Sequence, residues 1–170
     1  MEEHLQAAVN ALVERFGAQR FDFRDEVTLI LSPESIIDAC RTLRDDFDFT
    51  MLVEQTAVDY WPQEEPRFHI VYQLRSLDHN LILGLRVPLN GNFPTMESLT
   101  SVFCNANWFE RELWDMFGIR FEGQSDLRRI LMPEDWEGHP LRKNYPLGYE
   151  EVQFTFNSDE VDRHKPSPKE

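Results

Sequence analysis

Beyond Gly118 the chain loses the means to build long regular elements. Gly123, Pro133, Gly138, Pro140, Pro146 and Gly148 follow within thirty positions. Glycine loosens the backbone, and proline removes an N–H that a helix or sheet interior needs. Yet Leu131, Trp136, Leu141, Tyr145 and Leu147 lie between them. A segment this apolar does not stay in water; it lies against the chain's own body or against another subunit. The long regular elements are therefore expected in the first 118 residues. The expected organisation is an α+β globular domain over 1–118, an extended strap over 119–157, packed on the domain and on partners, and a polar tail over 158–170. Pro166 and Pro168 mark that tail as an extended or frayed end.

Within the first part, Leu5, Ala8, Val9, Leu12, Val13 and Phe16 recur at helical spacing, and Gly17 is placed to end the helix. Residues 20–23 and 27–31 read as strands around a turn at Asp25 and Glu26. Ser32-Pro33 predicts a helix start, with Ile36, Ile37, Cys40 and Leu43 inward. Residues 49–60 read as a strand. Residues 68–74 and 81–87 form a hairpin pattern around Asp78-His79-Asn80. Thr95 is expected to cap a short helix through Phe103. Asn107 is expected to cap the next one, with Glu110 as its capping-box partner. Phe109, Leu113, Met116 and Phe117 make its apolar stripe, and Gly118 ends it. The order predicts helices on one face of a mixed or antiparallel sheet, followed by the irregular strap.

Charge and chemistry remove most function classes. Seventeen basic against thirty-one acidic residues give −14, a surface that repels nucleic-acid phosphates and anionic lipid. Any membrane association is expected to run through a partner, because no stretch approaches the length of an apolar span. The acidic start, Met1-Glu2-Glu3-His4, lacks the pattern of a signal peptide. No phosphate-binding or dinucleotide-binding glycine motif is present. Histidines 4, 69, 79, 139 and 164 are scattered, so no metal centre is expected. The two cysteines, Cys40 and Cys104, read as buried thiols on helix faces; an iron–sulfur cluster takes four thiolates. Glu110 and Asp115 are the best acid–base candidates, against a plain reading as a helix cap and an Arg111–Asp115 surface pair.

One segment has a different balance. Residues 108–147 carry six basic and eight acidic residues among large aromatics. Arginine with Trp, Tyr and Phe is the composition of interface anchors. Arg128-Arg129 could fork onto a neighbour's carboxylates or carbonyls, or neutralise the chain's own acids.

The same segment closely resembles the family of the 30 kDa-type subunit of proton-pumping NADH:quinone oxidoreductase, respiratory complex I. The resemblance rests on Glu110-Arg111-Glu112, Trp114-Asp115-Met116-Phe117-Gly118-Ile119, Phe121-Glu122-Gly123 and Asp126-Leu127-Arg128-Arg129-Ile130-Leu131. Pro133-Glu134-Asp135-Trp136 and Pro140-Leu141-Arg142-Lys143 continue it, followed by Tyr145. Upstream, Val58-Asp59-Tyr60 and residues 68–74 are similar too. The match spans about residues 20–155. One departure stands out: where the family often has Gly-His-Pro, this chain has Gly123-Gln124-Ser125, so no imidazole role carries over.

The resemblance implies a connecting subunit of the peripheral arm, in the quinone module, with no catalytic centre or cofactor of its own. Flavin, iron–sulfur clusters and quinone would belong to other subunits. Its expected neighbours are the large quinone-site subunit and the small cluster-bearing subunits, on the cytoplasmic face of the membrane. The motif residues would serve structure and interface. Two rivals follow: the equivalent subunit of a ferredoxin-driven plastoquinone reductase or membrane-bound hydrogenase, and a stand-alone hydrolase or isomerase using Glu110, Asp115 or His139. The second lacks a recognisable nucleophile–base–orienter set.

Overall fold

The structure, a computed structural model, describes residues 2–24, 26–146, 156–157 and 159. The expectations for Asp25, for 147–155 and for most of the 158–170 tail lie outside these residues. The amphipathic start folds as helix α1 (Glu2–Phe16), with Ala8, Val9 and Leu12 buried. Gly17 ends it at φ +65°, donating its N–H to Val13 O. Strands β1 (Gln19–Phe23) and β2 (Glu26–Ile30) form an antiparallel pair. Helix α2 (Ile36–Phe47) buries Ile36, Ala39, Cys40 and Leu43. It starts later than Ser32-Pro33 implies. Pro33–Ser35 is a 3-10 turn, and the Ser32 hydroxyl meets the Ser35 hydroxyl instead of capping a backbone N–H.

Strands β3 (Met51–Asp59), β4 (Phe68–Ser76) and β5 (Leu81–Leu89) form an antiparallel meander. Every second residue of β4 is buried, as a half-covered sheet requires. The sheet order is β1-β2-β5-β4-β3, and the β2–β5 pairing is parallel, so the sheet is mixed. In β3 the register slips between Leu52 and Glu54. That bulge resets the pleat. Leu52, Gln55, Ala57 and Asp59 thereby pair with Leu74, Tyr72, Ile70 and Phe68, all on the buried side. A carboxylate at the end of β3 is turned inward by this one extra residue.

After β5 the structure departs from the expected helix at Thr95. Thr95–Glu97 is strand β6, and the cap belongs to Ser98, whose side chain accepts the Thr100 N–H of the 3-10 turn Leu99–Ser101. Helix α3 (Ala106–Phe117) follows. Strand β7 (Arg120–Glu122) then returns to pair with β6 in parallel, so α3 is the crossover of a small β-α-β unit. Cys104 is exposed in the turn before α3, on no helix face; Cys40 is buried as expected. None of the described helices is long and apolar enough to cross a membrane.

Candidate functional site

Helix α3 is the element on which the motif is organised, and three of its charged residues, Glu110, Arg111 and Asp115, are buried. Asp115 is fully buried. Its Oδ2 accepts three consecutive backbone N–H groups, from Ile130 (3.0 Å), Leu131 (2.8 Å) and Met132 (2.9 Å). Its Oδ1 takes Arg129 Nη1 at 2.5 Å. Arg129 Nη2 in turn donates to the Trp136 and Gly138 carbonyls, and the guanidinium lies 5.6 Å from the Trp114 ring centroid. Burial pushes the Asp115 carboxyl up, but the Met132 and Leu131 N–H groups, Arg129 and the Ile130 N–H outweigh it and hold it below the usual range. The Arg111–Asp115 surface pair is thus absent. Arg111, also buried, lies 5.2 Å from the Trp108 ring centroid and donates to the Arg128 and Arg129 carbonyls.

The C-terminus of α3 is closed by the same strap. Helix ends leave carbonyls without intrahelical partners. Here Asp115 O faces His139 Nδ1 at 3.0 Å, Met116 O accepts the Leu141 N–H at 3.1 Å, and Phe117 O accepts Arg142 Nε. A cation at this end also suits the helix dipole. Gly118 provides the left-handed exit at φ +71°. A Cβ there would come within 2.5 Å of His139 and 2.7 Å of Arg142 Nη2, so the position needs glycine twice over.

Farther along, the strap meets the inward carboxylate of β3. Asp59 pairs with the fully buried Arg67 through two parallel hydrogen bonds of 3.1 and 3.0 Å. Asp59 also accepts the Trp61 and Lys143 N–H groups, and Arg67 also donates to Asn92 and Asn144. Trp61 and Phe68 flank the guanidinium, with centroids at 4.9 and 4.7 Å.

Glu110 forms a third buried cluster. It is no capping-box partner of Asn107, since the helix is preceded by Asn105 and begins at Ala106. Instead its carboxylate accepts the Ser98 hydroxyl and the Leu99 N–H, both at 2.7 Å, at the start of the 3-10 turn. Gln124 donates to it at 3.4 Å and to Asn107 O, so the residue that departs from the family pattern ties the end of β7 to α3. Burial dominates these bonds and raises the Glu110 pKa to about 7.

The remaining motif residues divide by position. Phe117 is buried against Phe68, while Leu127 and Met132 pack partly on the core. Pro133 O accepts the Trp136 N–H in a turn, and the Tyr145 hydroxyl donates to Glu137 O. Pro140 is half-buried between His139 and Leu141. Glu112 is exposed, and Arg128 is exposed in a surface pair with Asp126. Facing out are Trp108 (60% exposed), Leu131 (60%) and Leu141 (53%). Sequence reasoning did not single out Arg67, Asn144 or the buried role of Asp59. The available signal was an acid closing a strand with branched Thr56 and Val58, with an arginine eight positions on.

The family model for the 30 Kd subunit of respiratory-chain NADH dehydrogenase matches residues 29–151. A NADH-quinone oxidoreductase subunit from Roseiflexus sp. (strain RS-1) is 49% identical over 151 residues, covering 88% of this chain and 86% of that protein. The subunit of the same name from Geobacter sulfurreducens is 42% identical over 143 residues, 82% and 88% of the two chains. A trypsin-resistant fragment of Nqo5 superposes with a TM-score of 0.66 at 27% identity, over 73% of this chain and 99% of the fragment. A chain of the archaeal membrane-bound sulfane sulfur reductase shares the fold, with a TM-score of 0.75 at 17% identity over 99% and 96% of the two chains. By that match and these identities, this chain belongs to the family of the 30 kDa subunit of respiratory-chain NADH dehydrogenase.

Proposed function

We propose that the chain is a connecting subunit in the quinone module of proton-translocating NADH:quinone oxidoreductase, with no redox group of its own. The observation that carries this is the strap. Its backbone is drawn inward by Asp115, Arg111 and Asp59, while Leu131 and Leu141 stand in solvent, as does Trp108. Buried polar groups hold the strap's backbone while Leu131 and Leu141 face solvent, the reverse of what an isolated domain needs of large apolar side chains. A large partner subunit shaping the quinone site, and small cluster-bearing subunits, are the occupants that suit such a surface. Two cysteines, one buried and with its thiol pKa pushed well up by desolvation, suit neither cluster ligation nor thiol catalysis. Flavin, clusters and quinone belong to the partners, and the chain reaches the cytoplasmic face of the membrane through them. Its contribution to turnover is positional: electron transfer falls steeply with distance, so neighbouring subunits must be held in register.

The test is purification of the tagged chain from native membranes in mild detergent, with identification of co-purifying subunits and assay of NADH:quinone reductase activity. Cluster-bearing partners with NADH activity are the expected result. Activity with ferredoxin and none with NADH reassigns the donor, and a lone soluble chain overturns the reading. Leu131→Asp with Leu141→Asp should weaken co-purification while leaving the Tm of the free chain unchanged.

A further inference from the structure

Histidine spacing argues against a metal centre, yet the fold gathers two of the five histidines with a carboxylate, far from α3. His4 lies in the first turns of α1, Asp48 immediately follows α2, and His79 lies in the β4–β5 turn. The His4 and His79 rings stack with centroids 3.8 Å apart and planes 28° from parallel. His79 Nε2 is 3.6 Å from Asp48 Oδ2. One donor atom from each of the three residues lies within 4.8 Å of the other two.

That spacing is informative. A separation of 3.6 Å is beyond a hydrogen bond. Two ligands held at ~2.0–2.1 Å on one tetrahedral zinc ion sit about 3.4 Å apart. Two imidazoles on one tetrahedral ion hold their ring centroids about 5 Å apart, so the stacked rings, 3.8 Å apart, must part by about an ångström as the ion enters. His4 is also held in place: its Nε2 lies 2.9 Å from Phe47 O, and its ring meets the Phe47 ring edge-on at 6.1 Å. A backbone carbonyl on one imidazole nitrogen is the usual means of fixing the tautomer of a metal-binding histidine. Asp48 is presented by a left-handed residue conformation, φ +60°, that stops α2 and throws the side chain off the helix line.

We propose that His4, Asp48 and His79 form a binding site for a borderline divalent transition-metal ion, zinc foremost, with water completing the coordination. Two imidazoles with one carboxylate select such an ion over calcium or magnesium, which take all-oxygen sets. The ion would join three segments distant in sequence and staple the beginning of α1 to the α2 end and the β4–β5 turn.

The probe is zinc itself, titrated calorimetrically into the purified full chain after chelator treatment, with cobalt as its visible reporter. One equivalent should bind, with cobalt absorption bands of a four- or five-coordinate site and a zinc-dependent rise in Tm. His79→Ala and His4→Ala should each weaken zinc binding about tenfold or more, as expected when three protein ligands become two. His79 occupies a turn, so the far-UV circular dichroism of its variant should match the parent; if His4→Ala disturbs α1, His79→Ala decides. Controls are Cys104→Ser and His164→Ala, both expected to bind as the parent does. Absence of stoichiometric binding overturns the proposal. So does binding undiminished in His79→Ala, or binding lost in the Cys104 or His164 control.

Discussion

Replacing Asp115 with alanine should release the strap without unfolding the domain. The carboxylate holds three backbone N–H groups and one arginine. Its removal leaves Arg129 (12% of its side chain exposed) beside a cavity with no counter-charge. Breaking a buried pair from one side costs about 3–5 kcal/mol. Ile130 and Leu131 are already exposed, so their N–H groups can recover hydrogen bonds to water once the strap lifts. Lifting is therefore the least costly response, and the loss should appear locally. At about 1.4 kcal/mol per factor of ten, exchange of the Ile130, Leu131 and Met132 amides should accelerate by two to nearly four orders of magnitude. The β4 and β5 amides, in the middle of the sheet, should change far less. Asp115→Asn keeps one acceptor oxygen and the side-chain shape, and should fall between parent and alanine variant. The assay is amide hydrogen exchange read by NMR or mass spectrometry on the free chain. Unchanged protection at 130–132 in Asp115→Ala would refute the idea that this carboxylate holds the strap. Equal acceleration across β4 and β5 would refute the claim that strap and sheet are separable.

Other perturbations follow from the same clusters. The Glu110 pKa is raised from 4.5 to about 7, so the folded state holds a proton that the unfolded state has released. Stability should fall as pH rises between those values, and Glu110→Gln should flatten that slope in denaturant titrations run across the window. Asp59 behaves oppositely. Burial raises its pKa, but Arg67 and the Lys143 and Trp61 N–H groups bring it below the usual carboxylate value. Its contribution is present above the unfolded pKa and fades as acid protonates it. Arg67→Met should remove that acid limb and cost about 3–5 kcal/mol at neutral pH, measured by chemical denaturation. Gly118→Ala forces a left-handed alanine, about 1–2 kcal/mol from the backbone alone, and pushes His139 and Arg142 off the helix end. Its Tm should drop, and proteolysis within 139–146 should quicken.

What could be read in the sequence was what repeats locally. The three- and four-residue spacing of α1 and α2, the alternation in β4 and β5, and the glycines after α1 and α3 all describe contacts within one element. Thr95 misled because its partner, Arg120 in β7, lies across a whole helix; no local pattern distinguishes a three-residue strand from a helix start. Glu110 misled in a related way. Its spacing from Asn107 imitates a capping box, but its partners Ser98 and Leu99 precede the helix. The strap's apolar residues were legible as a surface that needs covering. That the strap is drawn in by buried carboxylates was not, because Asp115 and Asp59 each have at least one partner fourteen or more positions away.

The distances along the chain between these partners also order the events of biosynthesis. Asp115 must wait for residues 129–132 to be made, and Asp59 must wait for Lys143, 84 positions later. The helix and sheet can form earlier, but until then Asp115 lacks its strap donors, while Asp59 has Arg67 and the Trp61 N–H but not the Lys143 N–H. An unfinished chain is thereby kept from a comfortable native state, and the outward row of Leu131 and Leu141 is assembled last. A nascent segment that stops short of residue 143 thus lacks donors on which the settled strap depends, and Leu131 and Leu141 take their places late.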